Sequence, residues 1–162
     1  MTTAADTTQK APPKVPRWLV RTIWIVHRTL YRLTPGRFGL RPATSTQWGM
    51  LRLRTVGRRS GKARVAIIGF IEDGRNLVSP AMNGWAEPDP AWWLNLQGNP
   101  EATVELPDGS RRAVTARASI GEERARLWRK FLDLNSSAFT DASAALRSKE
   151  TAIVILEPRL EP

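Results

Sequence analysis

The stretch MLRLRTVGRRSGKAR, residues 50–64, carries the pattern that decides the fold. Apolar and basic side chains alternate over residues 50–56, which is the period of a β-strand with one buried face. A glycine-flanked basic turn follows, and a second extended run begins at Arg64. Closely spaced guanidinium groups, the Ser60 hydroxyl and glycine-permitted backbone amides suit a phosphate or a carboxylate. The stretch therefore predicts a strand that ends in an anion-binding turn, with a solvated hairpin carrying a basic tip as the alternative reading.

Positive charge is concentrated at the front of the chain. Residues 1–64 carry 14 of the 25 Lys and Arg against one acid, a formal +13, whereas residues 65–162 carry 11 bases and 14 acids, a formal −3. This asymmetry argues for an acidic ligand, an anionic membrane surface or nucleic acid as partner. Charge alone does not choose among them, but no recognition helix or aromatic-basic motif supports nucleic acid, so none is expected.

The residue types that are missing exclude several kinds of site. The chain has no cysteine, which excludes disulfides, zinc-thiolate sites, iron-sulfur clusters and a cysteine nucleophile. His27 is the only histidine, which argues against a histidine-ligated metal cluster or a Ser-His-Asp triad. We therefore expect no metal site and name no catalytic side chain, and binding chemistry around a cofactor remains.

The chain divides into three segments. Residues 1–15 are polar and are predicted to be a disordered leader, and residues 16–36 to form a basic amphipathic helix. Within it, residues 17–33 either pack on the domain core or lie on a membrane surface. Residues 45–162 form the main domain. The N-terminus lacks a secretory signal, which predicts a cytoplasmic protein, with peripheral contact at the inner face of the cell membrane as an extension of that reading.

The main domain is predicted to be α+β and mainly β. Asp73-Gly74 and Pro107-Asp108-Gly109 are hairpin signals, so neighbouring strands should pair antiparallel and close into a barrel without exposed edges. Asp89-Pro90 and Gly121 begin two further helices, the first with Asp89 as N-cap. A third segment, residues 135–149, is a loop or a weak helix. The predicted strands are Leu51–Val56, Arg64–Glu72, Asn76–Pro80, Ala102–Leu106, Arg111–Ser119 and Thr151–Glu157.

Three ordered motifs then point to a family: LRTVGRRSGKAR at residues 53–64, Asp73-Gly74, and PAWWLNLQGNP at residues 90–100. Over about residues 50–158 the chain resembles the deazaflavin (coenzyme F420)-dependent nitroreductases and quinone reductases. The resemblance implies a split β-barrel like that of FMN-binding oxidoreductases. It also implies hydride transfer from reduced F420 to a hydrophobic electrophile such as a quinone, an enone or a nitroaromatic. FMN is the less favoured cofactor, and a non-catalytic lipid- or cofactor-binding member is the alternative function.

The resemblance also implies which residues bind the cofactor. The basic turn would grip its phosphate and acidic tail, the neighbouring strand ends would line the deazaflavin, and the Trp-x-x-Asn helix would complete the site. These residues are Arg58, Arg59, Ser60, Gly61 and Arg64; Ala66, Ile67, Ser79, Pro80, Ala81 and Met82; and Trp92 and Asn95.

The substrate side departs from the family pattern. Ile67 stands where the family often has proline, and Met82 or Asn83 stands where it often has lysine. No side-chain proton donor is apparent, so we expect the proton to come from water, Ser79 or solvent held by the backbone. The expected walls of an apolar acceptor pocket are Trp48, Trp85 and Phe139. The sequence allows a monomer or a homodimer.

Overall fold

The computed structural model describes residues 39–82, 88–134 and 150–159, which all belong to one compact unit, Gly39–Pro162. The predicted leader and the predicted basic helix, residues 16–36, lie outside the described residues. So do Trp85, Asn83, Phe139 and the segment 135–149. The site can therefore be built from the barrel and from the helices between its strands.

Six strands form a closed antiparallel barrel in the order β1-β2-β3-β6-β5-β4. Closure comes from β1 and β4, where Arg52 lies opposite Glu105 and Arg54 lies opposite Thr103. Every neighbouring pair is antiparallel, which confirms the predicted mainly-β barrel. The strands are β1 Gly49–Val56, β2 Ala63–Asp73, β3 Asn76–Pro80, β4 Glu101–Glu105, β5 Arg111–Ala118 and β6 Ile153–Pro158.

Two helices lie between the described strands: α1, Ala91–Gly98, between β3 and β4, and α2, Gly121–Asp133, between β5 and β6. The predicted N-cap at Asp89 is wrong by one residue. Pro90 is the N-cap, with an extended ψ of 144°, and its carbonyl accepts the N–H groups of Trp93 and Leu94. Proline fits this position because it has no N–H to satisfy and its fixed φ suits extended backbone. None of the helices in the described segments combines the length and the hydropathy of a membrane-spanning helix.

The barrel has an inner and an outer apolar cluster because successive residues of a strand face opposite sides. Leu51 and Leu53 of β1 contribute to the inner cluster, together with Val154 and Leu156 of β6. The residues between them on β6, Ile153 and Ile155, face outward and pack with α2. Both faces of β6 are therefore buried, one by the barrel interior and one by the helix.

Ion pairs fasten α2 to the barrel. Arg126 donates to both carboxylate oxygens of Asp73 at 2.8 and 2.7 Å, and Lys130 lies 3.3 Å from the same carboxylate. The Arg126 hydrogen bonds, followed by the Lys130 bond, lower the pKa of Asp73 from 3.8 to about 2, against an opposing effect of burial. At the start of the helix, Arg117 donates to both oxygens of Glu123, which lowers the pKa of that carboxyl.

Candidate functional site

The β1–β2 turn is a closed loop held by its own backbone. The Gly57 N–H donates to the Lys62 carbonyl at 2.8 Å, and the Gly57 carbonyl accepts from Ser60 and Gly61 at 3.2 and 2.8 Å. Gly61 has a φ of +63°, the left-handed conformation that glycine adopts without strain. The turn therefore has a defined backbone from which its side chains project.

Four exposed cations surround this turn: Arg58, Arg59, Lys62 and Arg64. Among the described residues, no carboxylate forms an ion pair with any of them. Arg64 donates to the Ser60 hydroxyl at 3.3 Å, so its nearest recorded partner is neutral. By contrast, seven other cations each pair with an acid: Arg52, Arg111, Arg117, Arg124, Arg126, Lys130 and Arg159.

The turn gains its chemical character from bringing these four cations together within residues 58–64. An isolated run of cations repels itself unless water, counter-ions or an anionic ligand offsets the charge. At Arg117, Arg126 and Lys130, by comparison, carboxylates of the same chain supply that charge. At the turn, an incoming phosphate or carboxylate would meet guanidinium and ammonium donors without a competing acid among the described residues. Arginine also binds two oxygens of such a group together.

Helix α1 supports the turn from behind through Asn95. The Asn95 Oδ1 atom accepts the backbone N–H of Arg58 at 3.1 Å, and its Nδ2 atom donates to the Thr55 hydroxyl at 3.1 Å. Asn95 is 8% exposed and Thr55 is 4% exposed. The C-terminal end of α1 also lies close to the turn, since a Cβ on Gly98 would be 3.4 Å from the Arg58 Cβ. The first residues of the turn are thus anchored to a rigid element.

The predicted ring-lining residues of β2 do not share one face. Ala66 is half-buried and packs against the inner cluster, whereas Ile67 lies opposite Arg52 in the ladder, on the other side of the sheet. The two-residue period of a strand produces this separation. A planar group on one side of β2 could contact only one of these two side chains.

The predicted residues at the end of β3 are mostly buried. Ser79 is 1% exposed and Ala81 is fully buried, while Met82 is half-buried. The Ser79 hydroxyl lies 3.5 Å from the Pro80 carbonyl oxygen, which is the upper limit for a hydrogen bond. The Ala81 N–H donates to the Ala152 carbonyl at 2.8 Å, which ties this segment to the chain before β6.

Two predicted aromatic residues lie in different clusters. Trp92 is 7% exposed within the inner cluster, where its ring centroid lies 6.5 Å from that of Trp93. Trp48 packs on the outer cluster, edge-on to Phe131 with ring centroids 5.3 Å apart. It also covers Gly69, where a Cβ would lie 3.0 Å from the indole. The structure thus brings the basic turn and Asn95 together and places Trp48 against α2.

Sequence reasoning missed Thr55 and gave Lys62 no role. A signal for Thr55 exists, since it continues the inward-facing series Leu51, Leu53, Thr55 as a polar residue at a position that must be buried. Such a hydroxyl needs a buried partner, and Asn95 supplies it. In the part of the chain that the structure describes, no group of three or more His, Cys, Asp or Glu could hold a metal ion.

Comparison with known proteins agrees with this architecture. The sequence profile of the F420H(2)-dependent quinone reductase family matches residues 25–158. A Mycobacterium tuberculosis protein, "Putative F420H(2)-dependent quinone reductase Rv3178", is 32% identical over 109 residues, which are 67% of this chain and 89% of the relative.

Solved structures agree on the fold. The F420-H2 dependent reductase FDR-A superposes with a TM-score of 0.59 at 24% identity, over 67% of this chain and 93% of its own. A domain-swapped dimer superposes with a TM-score of 0.60 at 23% identity, over 85% of this chain and 99% of its own. The family match spans most of the chain and includes the basic turn, the Asn95 helix and all six strands. The chain therefore belongs to the F420H(2)-dependent quinone reductase family, and its cofactor is coenzyme F420.

Proposed function

We propose that the β1–β2 turn binds the negatively charged phosphate and tail of F420, and that the chain reduces a hydrophobic electrophile such as a quinone, an enone or a nitroaromatic. Membership of the family makes the protein an F420-dependent reductase. The observation that supports the binding role is the set of four exposed cations with no acid partner among the described residues, on a turn that Asn95 anchors.

The residues present fit the acidic part of the cofactor. Arg58, Arg59, Lys62 and Arg64 offer several charges, and Ser60 adds a hydroxyl that already accepts from Arg64. An exposed ion pair contributes only about 0.2–1 kcal/mol, so affinity at such a surface depends on several pairs acting together. A tail with more than one anionic group can use them all, which favours this ligand over a single small anion.

When bound, reduced F420 supplies a hydride, which is two electrons and one proton. Reduction of a quinone to a hydroquinone by this hydride needs one further proton, which we assign to solvent. The side-chain alternative, Ser79, is only 1% exposed, so we assign the proton to solvent directly and not through its hydroxyl.

Binding and turnover can be tested separately. Titration calorimetry with oxidised F420 should give a Kd that is weaker by about 30-fold in Arg58→Ala/Arg59→Ala/Arg64→Ala, or about 2 kcal/mol. A matched control removes Arg75, Arg112 and Arg129, which are exposed cations away from the turn, and should change the Kd by less than about threefold. An unchanged Kd in the turn variant would refute the binding role.

Turnover is measured with reduced F420 and menadione, an enone or a nitroaromatic, by the return of the absorbance of the oxidised cofactor. Reduction of at least one of these compounds is expected. Tight binding of F420 without oxidation by any of them would instead favour a non-catalytic member of the family.

Two further parts of the prediction concern partners. We propose a homodimer, supported by the relative that forms a domain-swapped dimer. Membrane contact through residues 17–33 stays a prediction, because these residues lie outside the described ranges.

The roles of Trp48, Trp85 and Phe139 as walls of an acceptor pocket stay predictions as well.

A further inference from the structure

Asn95 uses both polar ends of its side chain on the protein itself. Its Oδ1 atom accepts the Arg58 N–H and its Nδ2 atom donates to Thr55, both at 3.1 Å. These partners are 37 and 40 residues away in sequence. With 8% of its surface exposed, Asn95 has little area left to offer a ligand. The residue therefore joins α1 to the end of β1 and to the first cation of the turn.

We propose that Asn95, with Thr55, is a positioning residue that presets the cations of the β1–β2 turn for the anionic part of F420 without touching it. This inference rests on the proposed function of the turn. It differs from the expectation that Asn95 contacts the cofactor directly.

The two hydrogen bonds of Asn95 act on the chain at both ends of the turn. Asn95 holds Arg58 directly by its backbone. Thr55 lies opposite Arg64 in the β1–β2 ladder, so the Asn95–Thr55 bond braces the strand position next to the last cation. The Asn95 side chain thus restrains the Arg58 backbone, where the turn begins, and Thr55, whose partner in β2 is Arg64.

Preorganisation gives this arrangement its effect on binding. Arginine side chains and a glycine-containing turn lose conformational freedom when they close on an anion, and that loss weakens affinity. A turn whose backbone is already held by a buried amide has less freedom to lose. Removing the amide should therefore weaken F420 binding even though every cation remains.

The test compares oxidised F420 affinity in Asn95→Ala, Thr55→Val and the conservative Thr55→Ser, measured well below each melting temperature. Ser119→Ala is the matched structural control, because the buried Ser119 hydroxyl donates to the Ile153 carbonyl at 3.0 Å, between β5 and β6. We expect Kd to rise about tenfold in Asn95→Ala and about threefold in Thr55→Val. Thr55→Ser should bind close to wild type, and Ser119→Ala should lower Tm without changing Kd.

Two further readouts separate positioning from general stability. Hydrogen exchange of the Arg58 amide should accelerate at least about tenfold in Asn95→Ala, because its acceptor is removed. In steady state, KM for reduced F420 should rise in that variant while kcat changes by less than about twofold.

The outcomes are distinguishable. If wild type binds F420 and Asn95→Ala binds it equally well, the positioning role is overturned while the proposed function stands. Should Asn95→Ala fail to fold, an unchanged Kd in Thr55→Val overturns it in the same way. If the arginine-to-alanine variant of the turn binds as tightly as wild type, the proposed function fails and this inference fails with it.

Discussion

The Asp73 carboxylate should contribute measurable stability, and the contribution should vanish in acid. Its pKa is lowered from 3.8 to about 2, chiefly by the hydrogen bonds from Arg126. At about 1.4 kcal/mol for each pKa unit, that change corresponds to about 2.5 kcal/mol. The Asp73 side chain is 22% exposed but that of Arg126 is 52% exposed, so solvent screens the pair. We therefore expect Asp73→Asn to reduce the free energy of unfolding by about 1 kcal/mol at pH 7.

The direction of the pH dependence follows from the lowered pKa. The native carboxyl holds its proton less tightly than the unfolded one, so the stabilisation is present above about pH 4. It is lost as the pH falls through about 2. Urea unfolding of wild type and Asp73→Asn at pH 7, 4 and 2.5 measures this difference. It should shrink in acid, whereas Asp133→Asn, an exposed carboxylate at the end of α2, should change stability by less than about 0.5 kcal/mol at pH 7.

A double-mutant cycle with Arg126→Gln assigns the effect to the pair. The coupling energy between the two positions should account for most of the loss in Asp73→Asn. A difference between wild type and Asp73→Asn that stays constant from pH 7 to pH 2.5 would refute the reasoning, because it could not arise from titration of this carboxyl.

Two glycine substitutions give further predictions. Gly49→Ala should cost about 3 kcal/mol in urea unfolding, because a Cβ there would overlap the Phe70 ring and lie 2.7 Å from the Ala43 nitrogen; a loss below about 1 kcal/mol would contradict this. Gly61→Ala should cost about 1 kcal/mol from its φ of +63° alone, since nothing lies within 4 Å of the new Cβ. Gly61→Asn should cost less, because asparagine tolerates this conformation, and equal losses in the two variants would argue against backbone strain.

Much of the barrel was predictable because its signals are local. Alternation in residues 50–56 and the Asp73-Gly74 turn need only neighbouring residues to act, and the observed strands begin and end within two residues of those predicted. The N-cap of α1 was displaced to Pro90 because a proline can serve either as cap or as first helical residue, and its ψ decides between them.

The binding side was predictable in part for the same reason. The four cations of residues 58–64 lie within seven positions of the sequence, so a hairpin at Gly57–Lys62 brings them together. The family resemblance assigned both Ala66 and Ile67 to the cofactor site. The pleat of β2, however, places their side chains on opposite faces of the sheet. The role of Trp48 as a wall of the acceptor pocket stays a prediction; in the structure its indole covers Gly69 and meets the Phe131 ring edge-on.

The sequence by itself determined that extended runs alternate, that hairpins join them and that a cluster of positive charge sits on one turn, because each property depends on residues adjacent in the chain. Only the tertiary structure decided which cations remain without an acid among the described residues and which side chain holds their turn. Arg126 donates to Asp73 across 53 positions and Asn95 accepts from Arg58 across 37, and such contacts depend on the closed barrel with its helices packed against it.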